Sequence, residues 1–335
     1  MAPRASRART ILRRTLYVLA ALCLLSLTLV RCDLSRAEVV AKYANASSQF
    51  VELDWMQVHY RDEGREGGEA NGAPPLLLIH GTASSLHTWD GWVTRLSGKR
   101  RIVRLDLPGF GLTGPASDHD YSAVRLARVV VALLDRLGIP QVDVAGNSLG
   151  GRVTLLLALD HPTRVRRLVL VDAAGLSGQK PPGIFRLARI PLLNRYLAVA
   201  TPRMLIAKNV HEVYGDESRV DDALVDRYYE LTRREGNRGA FVDRASGPRD
   251  PDLDARLGEL KMPVLILWGE RDRWIPFAFA ARFRDGIPGA KLVSYPTAGH
   301  VPMEELPEPT AADVDAFLLL RDAAAVTTSS ASADR

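Results

Sequence analysis

Residues 142–151 read Val-Asp-Val-Ala-Gly-Asn-Ser-Leu-Gly-Gly. A short apolar run, Val142–Ala145, feeds a turn built on Gly146, Ser148 and Gly150, and an apolar helical pattern follows from Leu149 to Leu159. A strand that turns sharply into a helix at Gly-x-Ser-x-Gly exposes the serine hydroxyl above the end of a sheet. Gly146 and Gly150 leave room for strand and helix to approach closely. The five-residue pattern alone is common; its place between a strand and a helix makes it specific.

Working outward, other short apolar runs repeat the strand signal. They are Leu76–Ile79, Ile102–Leu105, Leu168–Val171, Val264–Leu267 and Leu292–Tyr295. Continuous apolar runs of this length mark strands buried on both faces, and helical patterns such as Tyr121–Leu137 and Ala311–Leu320 lie between them. The alternation predicts an α/β fold with a mostly parallel central sheet flanked by helices. Phe50–Leu53 and Met56–Tyr60 alternate around Asp54-Trp55 as a hairpin. Between Val171 and Val264 about 90 residues carry no clear strand, and Arg186–Ala200 and Asp221–Arg234 read as helices. A loop that long is foreign to a compact domain, so 176–248 reads as a helical cap inserted in the core.

A serine hydroxyl needs a base to become a nucleophile. His300, in Ala298-Gly299-His300-Val301-Pro302 after the last strand, fills that part. The base needs an orienting carboxylate, and Asp272, in the loop after Val264–Leu267, is placed for it, with Asp172 its rival. An oxyanion hole is expected from the backbone N–H groups of Leu149 and Thr82. Trp274 and Ile275 follow the acid and read as candidate pocket wall. His80 reads as a brace for its loop, Trp89 and Trp92 as core, and Tyr228 and Tyr229 as packing or pocket wall. The acidic group Asp216, Glu217, Asp221 and Asp222 reads as a solvated helix start, and no metal or cofactor is expected.

On these motifs the chain resembles the α/β-hydrolase fold serine hydrolases, over about residues 50–322. The shared features are His80-Gly81, Asp106-Leu107-Pro108-Gly109-Phe110-Gly111, the Ser148 elbow, Gly269-x-x-Asp272 and Gly299-His300-x-Pro302-x-x-Glu305-x-Pro307, in that order. The resemblance implies cofactor-free hydrolysis of esters, lactones, thioesters or carbon–carbon bonds, and a helical cap between the sixth and seventh strands. Relatives that open epoxides or remove halide carry aspartate where Ser148 stands. Carbon–carbon hydrolases often have tryptophan after the catalytic histidine, where this chain has Val301. The leading expectation is therefore a carboxylic ester hydrolase, esterase- or lipase-like. The alternatives are a C–C bond or lactone hydrolase with the same triad, and a non-catalytic binding protein on the same fold.

The chain has 335 residues and a net charge of +5. Six arginines and no acidic residue lie in 1–31, so the remainder is close to neutral. That gives no basic face for nucleic acid. Thr15–Val30 is an apolar run of sixteen residues behind Arg13-Arg14. As a helix it spans about 24 Å, against about 30 Å of hydrocarbon. It reads as a signal anchor or signal peptide within 1–32, with the N-terminus cytoplasmic and the catalytic body outside. Membrane contact through this segment and a lipid-like ester substrate are expected from it. Residues 33–48 read as linker, 49–175 and 249–322 as the two parts of the core, and 323–335 as a disordered tail. Cys23 and Cys32 are the only cysteines, so the body has no disulfide.

Overall fold

The computed structural model describes residues 13–17, 30–53, 56–64, 74–181 and 183–319. Eight strands form one sheet: β1 Ser48–Leu53, β2 Met56–Glu63, β3 Leu76–Ile79, β4 Ile102–Leu105, β5 Val142–Asn147, β6 Val165–Val171, β7 Val264–Gly269 and β8 Lys291–Tyr295. Their order is β1-β2-β4-β3-β5-β6-β7-β8. Only β2 runs antiparallel to its neighbours; β4, β3 and β5 to β8 pair in parallel. The α/β-hydrolase architecture expected from the sequence is the one observed.

The sheet is buried because its central strands are apolar on both faces. Leu77 and Ile79 of β3, with Val144 of β5, pack under the helix Ala123–Arg136 through Leu126, Val130 and Leu133. Leu76 and Leu78 point to the other face, against Trp89 and Trp92 and against Val314 and Phe317 of the helix Pro307–Leu318. The two tryptophan rings lie 4.9 Å apart in this core.

Between β6 and β7 the described residues form five α-helices: Gly183–Ala188, Leu193–Leu197, Arg203–Val213, Asp222–Thr232 and Asn237–Ser246. The single helix expected over 186–200 is two short ones. Pro191 interrupts it, since proline lacks the amide that would continue the ladder, and Leu192 takes φ +68°. Asp221 caps the fourth of the five by accepting from Leu224 N.

Residues 33–48, read as linker, carry a helix at Arg36–Tyr43. Ser35 and Glu38 form a reciprocal capping box that starts it. Its buried Val39 packs with Leu112 of the core and Leu231 of the cap. The strand of chain before it is bound to the cap. Leu34 bridges to Arg234, Arg233 donates to the Cys32 carbonyl, and Arg238 pairs with Asp33 at 2.7 Å.

The expectation of membrane placement is corrected here. Among the described residues no helix is long and apolar enough to cross a membrane. The greater part of the apolar run, residues 18–29, lies outside the described residues, as does the expected tail.

Candidate active site

Ser148 joins β5 to the helix Leu149–Asp160 with φ 53° and ψ −114°. Positive φ costs a non-glycine residue of order 1–3 kcal/mol and persists only where its surroundings enforce it. Here Ser148 N donates to Val171 O at 3.0 Å, and its carbonyl accepts from Ala174 N at 3.0 Å. The flanking glycines are sterically required. A Cβ on Gly146 would overlap the Gly150 carbonyl, and one on Gly150 would overlap the Ile79 carbonyl.

His300 lies in the loop after β8 and is buried. Its Nδ1 is 2.7 Å from Asp272 Oδ2. Asp272 is held in turn, because its Oδ1 accepts from Trp274 N at 2.7 Å and Ile275 N at 2.9 Å. The loop is tied to the elbow and to the cap together. Asn147 donates to the His300 carbonyl at 2.9 Å, and His300 N donates to Val213 O at 2.7 Å. A second brace was not legible in the sequence. The buried carboxylate of Glu305 accepts from Gly215 N, Asp216 N and Gly299 N at 3.0, 2.8 and 2.8 Å.

Asp172, the rival acid, sits behind the pair. One ligand atom each of Asp172, Asp272 and His300 lie within 4.8 Å of one another. Its Oδ1 accepts from Gly269 N at 3.0 Å, whereas its buried Oδ2 finds no donor. Burial, then the charge of Asp272, pushes the Asp172 carboxyl well above the usual carboxylate range. Protonated, it can donate to Asp272 and leave that group as the acceptor for His300.

The loop after β3 is shaped by histidine chemistry. His80 Nδ1 lies 2.7 Å from Gly81 O, and Leu107 N donates to His80 Nε2 at 3.0 Å. The ring is therefore neutral, with its proton on Nδ1, and burial lowers its basicity further. That is the bracing role read from the sequence. The next residue in the loop is Thr82. Among the described residues neither Thr82 N nor Leu149 N has an acceptor, and both residues line the cavity at Ser148.

Ser148 and His300 open onto two cavities. One, of about 200 Å³, runs from Thr82, Leu149, Trp274 and Ile275 towards Arg152, Lys180, Arg189 and Arg244. The other, of about 50 Å³, is walled by Ile206, Val210, Val213 and Tyr228. Trp274 and Ile275 line the first of these, and the Trp274 ring packs 5.5 Å from that of His300. Tyr228 is pocket wall and is tied up by Glu304 at 2.7 Å. Tyr229 is buried packing. No hydrogen bond joins Ser148 Oγ to His300 among the described residues, a contact that is commonly loose before substrate arrives.

A strained serine elbow at the strand ends, with a buried His–Asp pair on the adjoining loops, defines a hydrolase of the α/β class. The comparisons agree. The family model for the alpha/beta hydrolase fold matches residues 74–307, and the chain belongs to that family. A 2-hydroxymuconate semialdehyde hydrolase of Pseudomonas putida is 32% identical over 290 residues, 83% of this chain and 99% of the relative. A hydrolase structure from Pseudomonas aeruginosa PA01 superposes with TM-score 0.69 at 28% identity, covering 82% of this chain and all of the other. The structure of a membrane phospholipase A, described as a bacterial virulence factor, superposes with TM-score 0.67 at 26% identity, over 93% and 98%.

Proposed function

We propose that this hydrolase cleaves carboxylic esters through an acyl-enzyme formed on Ser148. The observation that carries the reading is the position of Ser148, at the junction of two cavities and beside a histidine whose far nitrogen is held by Asp272. Ser148 Oγ attacks the carbonyl carbon while His300 Nε2 takes its proton. The Thr82 and Leu149 amides receive the oxyanion. Collapse breaks the C–O bond, and the leaving alkoxide takes the proton from His300. Water repeats the sequence on the acyl-enzyme and releases the acid.

A second reading is hydrolysis of a C–C bond by the same groups, with a stabilised carbanion leaving in place of the alkoxide. The curated relatives back this alternative better than the ester reading, because the 32% identical relative is named for such a substrate. Val301 after His300, where carbon–carbon hydrolases of this fold often carry tryptophan, and Thr82-Ala83 after Gly81, where they often carry further glycines, still favour the ester.

The test is steady-state turnover of p-nitrophenyl esters of increasing acyl length beside a vinylogous diketone, with Ser148→Ala as control. Ester turnover that disappears in Ser148→Ala is the expected result. Turnover of the diketone alone moves the assignment to the C–C bond. Equal rates in wild type and Ser148→Ala would remove Ser148 from the chemistry altogether.

A further inference from the structure

The lining of the larger cavity carries a charge that the groups at Ser148 do not explain. Five cations line it (Arg152, Lys180, Arg189, Arg244 and Arg249) and one carboxylate, Asp250. That carboxylate is already used, because its Oδ2 accepts from Arg244 at 2.7 Å and its Oδ1 from Ala123 N at 2.7 Å. Arg249 faces Asp252 at 3.8 Å. Among the described residues Arg152, Lys180 and Arg189 have no carboxylate within ion-pair distance. Arg152 gives one N–H to Pro251 O at 2.8 Å and Arg189 gives one to Ala245 O at 2.7 Å. Each guanidinium carries five N–H donors in a planar fork, so most of this capacity is uncommitted.

A solvated rim of cations is the plain alternative, and it suits Lys180, Arg189 and Arg249, which are exposed. It does not suit the inner two. Arg152 is partly buried one helical turn after Ser148; burial makes its charged form harder to keep, and the charges of Asp250 and Asp252 offset part of that. The Nε of Arg244 is buried without an acceptor. The cap adds to the same field. From Ala173 to His211 the sequence has no Asp or Glu; Arg203 and Lys208 there pair with Asp222, Asp226 and Glu212, and Lys180, Arg186, Arg189 and Arg195 make up the rest of its positive charge. A concave site with one sign of charge concentrates ligands of the other sign.

We propose that the substrate carries an anionic oxygen group, a carboxylate or a phosphate, bound by Arg152, Arg189 and Arg244 while its carbonyl lies at Ser148. Forked N–H donors match the paired oxygens of both groups, and charge-assisted bonds of this kind are the stronger ones. The small apolar cavity takes the other end of the molecule. This inference rests on the serine hydrolase reading above and names the substrate class for it.

Two matched pairs of substrates test it. One is 4-nitrophenyl hexanoate against mono-4-nitrophenyl adipate, which differ by a terminal carboxylate. The other is 1-hexanoylglycerol against its 3-phosphate. The expected result is kcat/KM at least tenfold higher for the anionic member of one pair. The pair that shows it separates a carboxylate from a phosphate. The anionic-to-neutral ratio should fall at least tenfold in Arg152→Gln with Arg189→Gln, and should fall in wild type as salt is raised. Ratios near one in both pairs, with the esters turned over, overturn the proposal and leave the hydrolase standing. Calorimetric binding of the same four compounds to Ser148→Ala reads the preference without chemistry. Anionic members that bind no tighter there overturn it even if no ester is cleaved.

Discussion

The carboxylates of Asp172 and Asp272 lie within 4.8 Å of each other and of the His300 imidazole, and all three residues are buried. Two such groups cannot both ionise at that separation without a large penalty. Asp272 has three hydrogen bonds that favour its charge, two from backbone N–H groups and one with His300. Asp172 has one, and burial with the nearby charge of Asp272 pushes its carboxyl well above the usual range.

The pH sign follows from that assignment. A carboxyl whose folded value is raised gives stability that is full below about pH 4 and is lost as pH rises towards the raised value. Asp172→Asn keeps an acceptor for Gly269 N and a donor for Asp272, and cannot ionise. The variant should therefore gain on wild type by about 1.4 kcal/mol per pH unit above pH 4, until the folded value is reached. Urea unfolding of both proteins at pH 5, 6 and 7 measures the difference. A gap that does not change with pH would show that Asp172 is ionised in the folded protein.

Asp272→Asn tests the orientation of His300. The amide can still meet the Trp274 and Ile275 N–H groups, but it no longer offers a charge to the imidazole. On the triad reading, turnover should fall about 10⁴-fold with little change in melting temperature. A loss under tenfold would take Asp272 out of the relay.

Gly150→Ala should be a folding defect before it is a catalytic one. The new methyl would enter the space of the Ile79 carbonyl, a backbone atom at the centre of the sheet. A destabilisation of at least about 2 kcal/mol is expected, measured by denaturant midpoint. Native stability in this variant would mean that helix and strand can separate at the elbow.

His87 gives the protein an acid-side limit. Burial holds its basicity down, at about 4. A depressed folded value means stability that is present above the unfolded value, about 6.5, and is lost as pH falls towards 4. The loss amounts to at most about 3 kcal/mol. His87→Gln should flatten the fall in melting temperature over pH 6.5 to 4, and an unchanged fall would place the acid sensitivity elsewhere.

The sequence carried the strands of the core because each depends on a local run. Leu76–Ile79 needs only to be apolar throughout to be read, and Val142–Ala145 is read the same way despite Asp143. Ser148, Asp272 and His300 could be proposed as a triad for a similar reason, since each follows a recognisable strand. The cap was harder. Ile206, Val210 and Val213 do lie at helical spacing and are buried, but the exposed Met204 beside them blurs the apolar face. Glu305 could not be read as a brace, because two of its three partners come from the cap, about 90 residues earlier. The basic end of the cavity was invisible for the same cause. Its residues come from the elbow helix, the cap entry and the cap exit, and only folding brings them together.

The contacts of residues 31–38 with the cap have a mechanical meaning. A lid joined to its base only where the chain enters and leaves turns about the line through those two points. Here Asp33, Leu34 and the Cys32 carbonyl hold the cap at a third point, through Arg238, Arg234 and Arg233. Lys42 adds a fourth by pairing with Glu230 at 2.7 Å. Supports off that axis resist the swing, so on the proposed function turnover should not wait on a large closure of one body onto another.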